Sequence, residues 1–154
     1  MTRRMLTTLA SALLAAAIVV GGSAIASNKA KTFKTYKLQG VAHAHTTGDG
    51  ASIAGNTKDK YLGNGAIVYN DAAAGTGVKI PFVSFAKNGS YKGVATTDST
   101  PGGPGFVISN CTLKITGGGG AYKGATGKGT CDGTIDGTTG NFTVNYKATM
   151  KVPK

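Results

Sequence analysis

From Asn141 the chain alternates apolar and polar positions without a break. Phe142, Val144, Tyr146, Ala148, Met150 and Val152 fall on one face, and Asn141, Thr143, Asn145, Lys147, Thr149 and Lys151 on the other. Six cycles of period two predict a half-buried strand, because a helix would scatter those apolar residues around its circumference. The same alternation recurs over 33–45, 61–70, 78–87, 90–98, 106–116 and 126–136, with 51–56 a weaker eighth run. No segment beyond residue 26 carries a 3.6-residue period. The pattern predicts an all-β chain of short-connected antiparallel strands, either a barrel or a sandwich, and closure into a barrel would remove the exposed sheet edges.

The punctuation between runs supports this reading. Asn88-Gly89 joins two alternating segments and predicts a tight hairpin of type I′, with positive φ at both central residues. Gly48-Asp49-Gly50, Pro101 to Gly105 and Asp136 to Gly140 are further turn signals.

The N-terminus is read differently. Thr2 to Arg4 supply a positive start, Met5 to Val20 an apolar run, and Ala24-Ile25-Ala26 a small-x-small site ahead of Ser27. This is the three-part secretory pattern, and its apolar run is shorter than the roughly 20 residues of a spanning helix. Residues 1–26 are therefore expected to be a signal peptide and 27–154 a single β-barrel domain, secreted or periplasmic. Both arginines, Arg3 and Arg4, fall in the signal. The exported part keeps fifteen lysines and six aspartates, with no Glu, Arg or Trp. That composition excludes paired-glutamate glycosidase chemistry and bidentate arginine clamps.

An oxidising destination pairs Cys111 with Cys131, the chain's two cysteines, in one disulfide. Register offers a check. If the two face each other across an antiparallel pair, Leu113 lies opposite Gly129 and Ile115 opposite Gly127, large against absent side chains. Val107 would share that inward face. Closing a loop of this length contributes about 3 kcal/mol in the chain-entropy model.

Residues 115–130 read ITGGGGAYKGATGKGT. A phosphate-binding loop is excluded, since Gly127-Lys128-Gly129 leads into a strand rather than a helix. The segment instead predicts a glycine corner between paired strands, with Tyr122 covering bare backbone. Thr116, Gly117, Gly118, Gly120, Tyr122, Gly124 and Gly127 resemble the T-G-G-x-G-x-[FY]-x-G-x-x-G pattern of the allene oxide cyclase and dirigent barrel superfamily. The resemblance covers about 25 residues closely. It implies an antiparallel eight-stranded barrel of calycin or dirigent-like type, often a homo-oligomer, with an apolar interior open at one end. Its glycine motif is structural. The glutamate or the arginine that serves the family's chemistry has no counterpart in the exported part, which contains neither Glu nor Arg.

Candidate sites follow from the alternation. Tyr61, Ile67, Tyr69, Phe82, Tyr91, Phe142 and Tyr146 are expected to line the barrel, with Gly63, Gly65, Gly93, Ala95, Gly127 and Gly129 leaving room for one small apolar ligand. His43 and His45 share a face, the spacing of a two-imidazole metal site, but the opposite face carries Tyr36, Leu38, Ala42 and Ala44. The histidines are therefore expected to point to solvent, with no metal bound. The aspartates sit mostly at run ends, where turn chemistry is expected. No nucleophile elbow or metalloprotease helix is present, so no catalytic residue and no cofactor is assigned. Dispersed lysines predict a solvated surface with weak, salt-dependent contact to anionic envelope polymers or lipid headgroups and no nucleic acid. The expectation is a secreted noncatalytic barrel for a small hydrophobic ligand. The alternatives are a cyclase or isomerase in the same barrel and a lysine-rich envelope-binding module.

Overall fold

The computed structural model describes residues 31–47, 52–70 and 72–154; the expected signal peptide at 1–26, Asp49 and Asp71 lie outside the described residues. Eight strands follow one another: β1 (Phe33–Thr46), β2 (Ile53–Asp59), β3 (Gly63–Tyr69), β4 (Gly75–Ala86), β5 (Gly89–Gly102), β6 (Gly105–Gly120), β7 (Thr126–Asp136) and β8 (Asn141–Pro153). Each pairs antiparallel with its sequence neighbours, and β8 returns to β1 along almost its whole length, from Phe33↔Pro153 to His45↔Asn141. The result is a closed barrel. Its connections alternate between two ends. The β2–β3, β4–β5 and β6–β7 turns, with the start of β1 and the finish of β8, form one end, which we call closed. The β1–β2, β3–β4, β5–β6 and β7–β8 connections form the other, open end.

The face assignments of β1 and β8 hold. Leu38, Ala42 and Ala44 are buried, as are Val144, Tyr146, Ala148, Met150 and Val152, while His43 and His45 are exposed. On β5 the inward set is Tyr91, Gly93, Ala95, Thr97 and Ser99, all buried. Two glycines show how the wall curves. A Cβ on Gly93 would collide with the carbonyl oxygen of Lys114, and one on Gly129 with that of Lys147, so backbone can approach backbone only without a side chain.

Cys111 and Cys131 are register partners joined as a disulfide with Cα atoms 4.8 Å apart, and both sulfurs sit in the core. Leu113↔Gly129 and Ile115↔Gly127 pair as the sequence predicts. Such a bond fits an oxidising, extracytoplasmic compartment.

Three expectations are corrected. Val107 faces outward and is 42% exposed, while Ile108 is buried. The cause is a β-bulge between Ile108 and Cys111, where Asn110 takes φ 48° and inserts one residue into the alternation. Asp98 fixes that bulge by accepting hydrogen bonds from Asn110 Nδ2 at 2.8 Å and from the Gly77 amide at 2.7 Å.

The β4–β5 hairpin turns at Lys87-Asn88, because Ala86 pairs with Gly89. Asn88 does not have positive φ, so the turn is not type I′. Gly89 serves β5, where a Cβ would strike the carbonyl of Gly119. The run from 61 to 70 begins late, since Asp59 captures the chain in a turn over residues 60–62 and leaves Tyr61 50% exposed, outside the barrel.

The glycine corner at the end of β6 is a turn of residues 121–124. Gly120 (φ 59°) and Gly124 (φ 70°) bracket it in the left-handed region. Tyr122 is 3% exposed and folds back over the barrel's closed end.

Candidate functional site

The barrel interior divides into two levels. In the closed half, aromatic rings form a series from the end cap toward the middle, three contacts edge to face and the last, Phe82 on Tyr69, tilted. Tyr36 and Tyr122 have centroids 5.5 Å apart, Tyr122 and Tyr91 6.3 Å, Tyr91 and Phe82 6.4 Å, and Phe82 and Tyr69 6.3 Å. These separations are those of favourable quadrupole contacts. With Leu38, Ile67, Ile115 and Tyr146 they leave a void of only about 20 Å³.

Polar atoms on the β2–β3 side of this half are mostly satisfied. Asp59, 5% exposed, accepts from the Tyr61 amide at 2.8 Å, the Leu62 amide at 2.9 Å and the Gln39 amide at 3.0 Å. The Tyr146 hydroxyl is buried without a hydrogen-bond partner of good geometry. Burial above all, and then the nearness of Tyr91 and Asp59, hold its phenol neutral by raising its pKa. Burial pushes Tyr91 up to about 12, with a hydrogen bond to Ser84 working in the opposite direction.

Above this layer the open half is hollow. A cavity of about 200 Å³ is bounded by Ile53, Ile80, Ala95, Phe106, Ile108, Ile135, Phe142 and Val144, with the disulfide in its wall and Tyr69 on its floor. Ala72 to Ala74, in the β3–β4 connection, form part of its rim. Its polar groups are few. The hydroxyl of Thr97 is engaged with the carbonyls of Asp98 at 3.2 Å and Ser109 at 3.3 Å, and Ser99 Oγ accepts from the Gly75 amide at 3.2 Å. Among the described residues no Lys, Asp or His lines the cavity. Its titratable group, Tyr69, is held protonated at neutral pH by burial and by the neighbouring Tyr91.

The seven residues expected to line a ligand site therefore separate. Tyr69 and Phe142 line the cavity. Ile67, Phe82, Tyr91 and Tyr146 face inward but fill the closed half. Tyr61 lies outside, with Lys60 Nζ 5.7 Å from its ring centroid. Of the small residues, Ala95 alone lines the cavity, and Gly63 is exposed. Ile53, Ile80 and Ile108 were not singled out from sequence. All three are the apolar members of alternating runs, but only the closed topology brings them to one level.

His43 Nδ1 lies 3.3 Å from Thr143 Oγ1 and His45 Nδ1 3.1 Å from the Gly140 carbonyl oxygen. Among the described residues no cluster of three His, Cys, Asp or Glu could hold a metal. The motif residues Thr116 to Gly127 lie away from the cavity, at the closed end.

The chain matches no protein-family model, no curated protein and no solved structure. The site is therefore read from its own geometry.

Proposed function

We propose that the protein is a secreted, noncatalytic β-barrel that holds one small apolar molecule in its open half. The observation that carries this reading is the cavity of about 200 Å³ with its apolar wall. A dry cavity of about 150 Å³ already admits benzene, so the fitting ligand is a compact hydrocarbon or monocyclic compound rather than a lipid chain. Export is supported by the three-part N-terminal pattern and by the disulfide. Eight-strand closure and the glycine corner after β6 support kinship with the allene oxide cyclase and dirigent barrels. What favours carriage over cyclase chemistry is the wall itself: among the described residues it offers no carboxylate, imidazole or amine to move a proton.

Toluene titrated into the protein should bind saturably and raise Tm, because it binds the native state alone. Ala95→Phe, which projects a ring into the cavity, should abolish that shift while leaving the apo protein folded. Toluene binding unaffected by Ala95→Phe, or absent from the parent protein, would refute the reading.

A further inference from the structure

The barrel's outer surface is polarised along its axis. Lys34 and Lys37 start β1, Lys58 and Lys60 sit at the end of β2, and Lys87 and Lys123 occupy the β4–β5 and β6–β7 turns. Lys92, Lys114, Lys128 and Lys151 also lie in the closed-end parts of β5 to β8; Lys147 sits at the middle of β8, and Lys79, near the start of β4, lies toward the open end. Like charges even face each other directly: Lys114 is the register partner of Lys128. Such pairs oppose folding unless something anionic relieves them. The described aspartates do not. Asp98, Asp132 and Asp136 lie in the open-end parts of β5 and β7, and Asp59 is buried and saturated by three backbone amides.

A second feature coincides with the first. Four large apolar side chains are left outside the core; Val107 (42% exposed) lies toward the open end, and the other three, Phe33 (45%), Tyr61 (50%) and Phe85 (47%), belong to the closed end, spread around it on β1, the β2–β3 turn and β4.

We propose that the closed end docks on an anionic lipid bilayer, with the ring of lysines at the headgroups and Phe33, Tyr61 and Phe85 in the interfacial layer. This inference is independent of the ligand reading, since it uses none of the cavity's residues. Charge complementarity identifies an anionic partner. The arrangement then separates a membrane from a soluble polyanion. A single bound polymer strand needs a stripe of cations and gains nothing from exposed phenyl rings. A lipid surface approached end-on needs cations distributed around that end, and it rewards aromatic rings at headgroup depth. Lysine stems suit the purpose, because they lie along apolar surface while the ammonium reaches the phosphates. Docked in this way, the barrel points its mouth away from the bilayer.

The test uses phosphatidylcholine vesicles with and without about 30% phosphatidylglycerol. The chain contains no Trp, so Tyr61→Trp at the closed end and Val107→Trp, facing outward in the open half, each install a sole indole reporter. Every variant shares residues 1–30, so that segment cancels in paired comparisons. Only Tyr61→Trp should shift to the blue, and only on anionic vesicles. Lys58→Gln, Lys60→Gln and Lys87→Gln should each weaken vesicle binding roughly fivefold at low salt, against little change for Lys79→Gln. Phe33→Ser with Phe85→Ser should weaken it further without altering the far-ultraviolet circular dichroism. The proposal is overturned if the two indoles respond alike, if Lys79→Gln weakens binding as much as Lys87→Gln, or if no binding occurs. It is also overturned if soluble polyphosphate binds with the same lysine dependence and no dependence on Phe33 and Phe85, which would mark a polymer site.

Discussion

The closed and open halves of this barrel share eight strands and one alternating pattern, yet they meet opposite ends. In the closed half the inward positions are filled by Leu38, Ile67, Ile115 and Met150, with the small polar Thr57 and Ser84 and the turn-forming Asp59 buried beside them, and five aromatic residues pack in series through edge-to-face and tilted contacts. In the open half the inward positions of β5 shrink to Ala95, Thr97 and Ser99, and the surrounding isoleucines do not reach across. Eight strands enclose a space just wide enough for side chains to fill. Whether such a barrel is solid or hollow therefore depends on side-chain size level by level. The small inward residues Ala95, Thr97 and Ser99, which help leave it hollow here, follow one another along the open half of β5.

Substitutions matched between the halves should expose this difference. Phe82→Ala would empty a site in the filled half and should cost about 3 to 5 kcal/mol, read from denaturant midpoints at unchanged m. A loss under about 1 kcal/mol would show that the aromatic series is not tightly packed. Removing both Cys111 and Cys131 as alanines should cost about 3 kcal/mol, the loop-closure contribution of a 20-residue separation. Each single replacement should cost nearly as much, because one bond is lost in every case.

Enlarging a small side chain is the sharper contrast. Ala148→Leu, in the closed half, should overpack the core and cost about 1 to 3 kcal/mol. Ala95→Leu, in the cavity wall, should change stability by less than about 1 kcal/mol, because the added methyl groups enter empty space. Equal costs at the two positions would erase the distinction between the halves.

Much of this fold was legible in the sequence, and the failures share a cause. The β8 alternation is unbroken from Asn141, and its face assignment holds at each buried residue from Val144 to Val152. The Cys111–Cys131 register held for the same reason, since β6 and β7 stay in step on the closed side of the bulge. Beyond that bulge the period-two rule assigned Val107 inward, because a single inserted residue reverses every face that follows and Asn110 does not announce itself among other polar residues. Tyr61 was misplaced because Asp59 diverts the chain before β3 begins; the aspartate's role as a turn former was foreseen, but not its burial.

The candidate site suffered from a different limit. Alternation tells which face of a strand points inward, not how far along the barrel axis a residue sits. Ile67, Phe82, Tyr91 and Tyr146 therefore face inward, as alternation indicates, but lie in the filled half and not at the cavity. Ala72 to Ala74 belong to a connection with no period to read, and they became visible only when the barrel closed beneath them. The clustering of lysines toward one end is also invisible in the linear chain, because an up-and-down barrel sends alternate turns to opposite ends.

The open half is empty of side chains while the closed half is full. Xenon-pressurised crystals test this most directly, since xenon enters dry apolar cavities large enough to hold it. One xenon site is expected, bounded by Ile53, Ala95, Ile108 and Phe142, and none among Ile67, Phe82, Tyr91 and Tyr146. Xenon among the closed-half aromatics, or none in the open half, would contradict it.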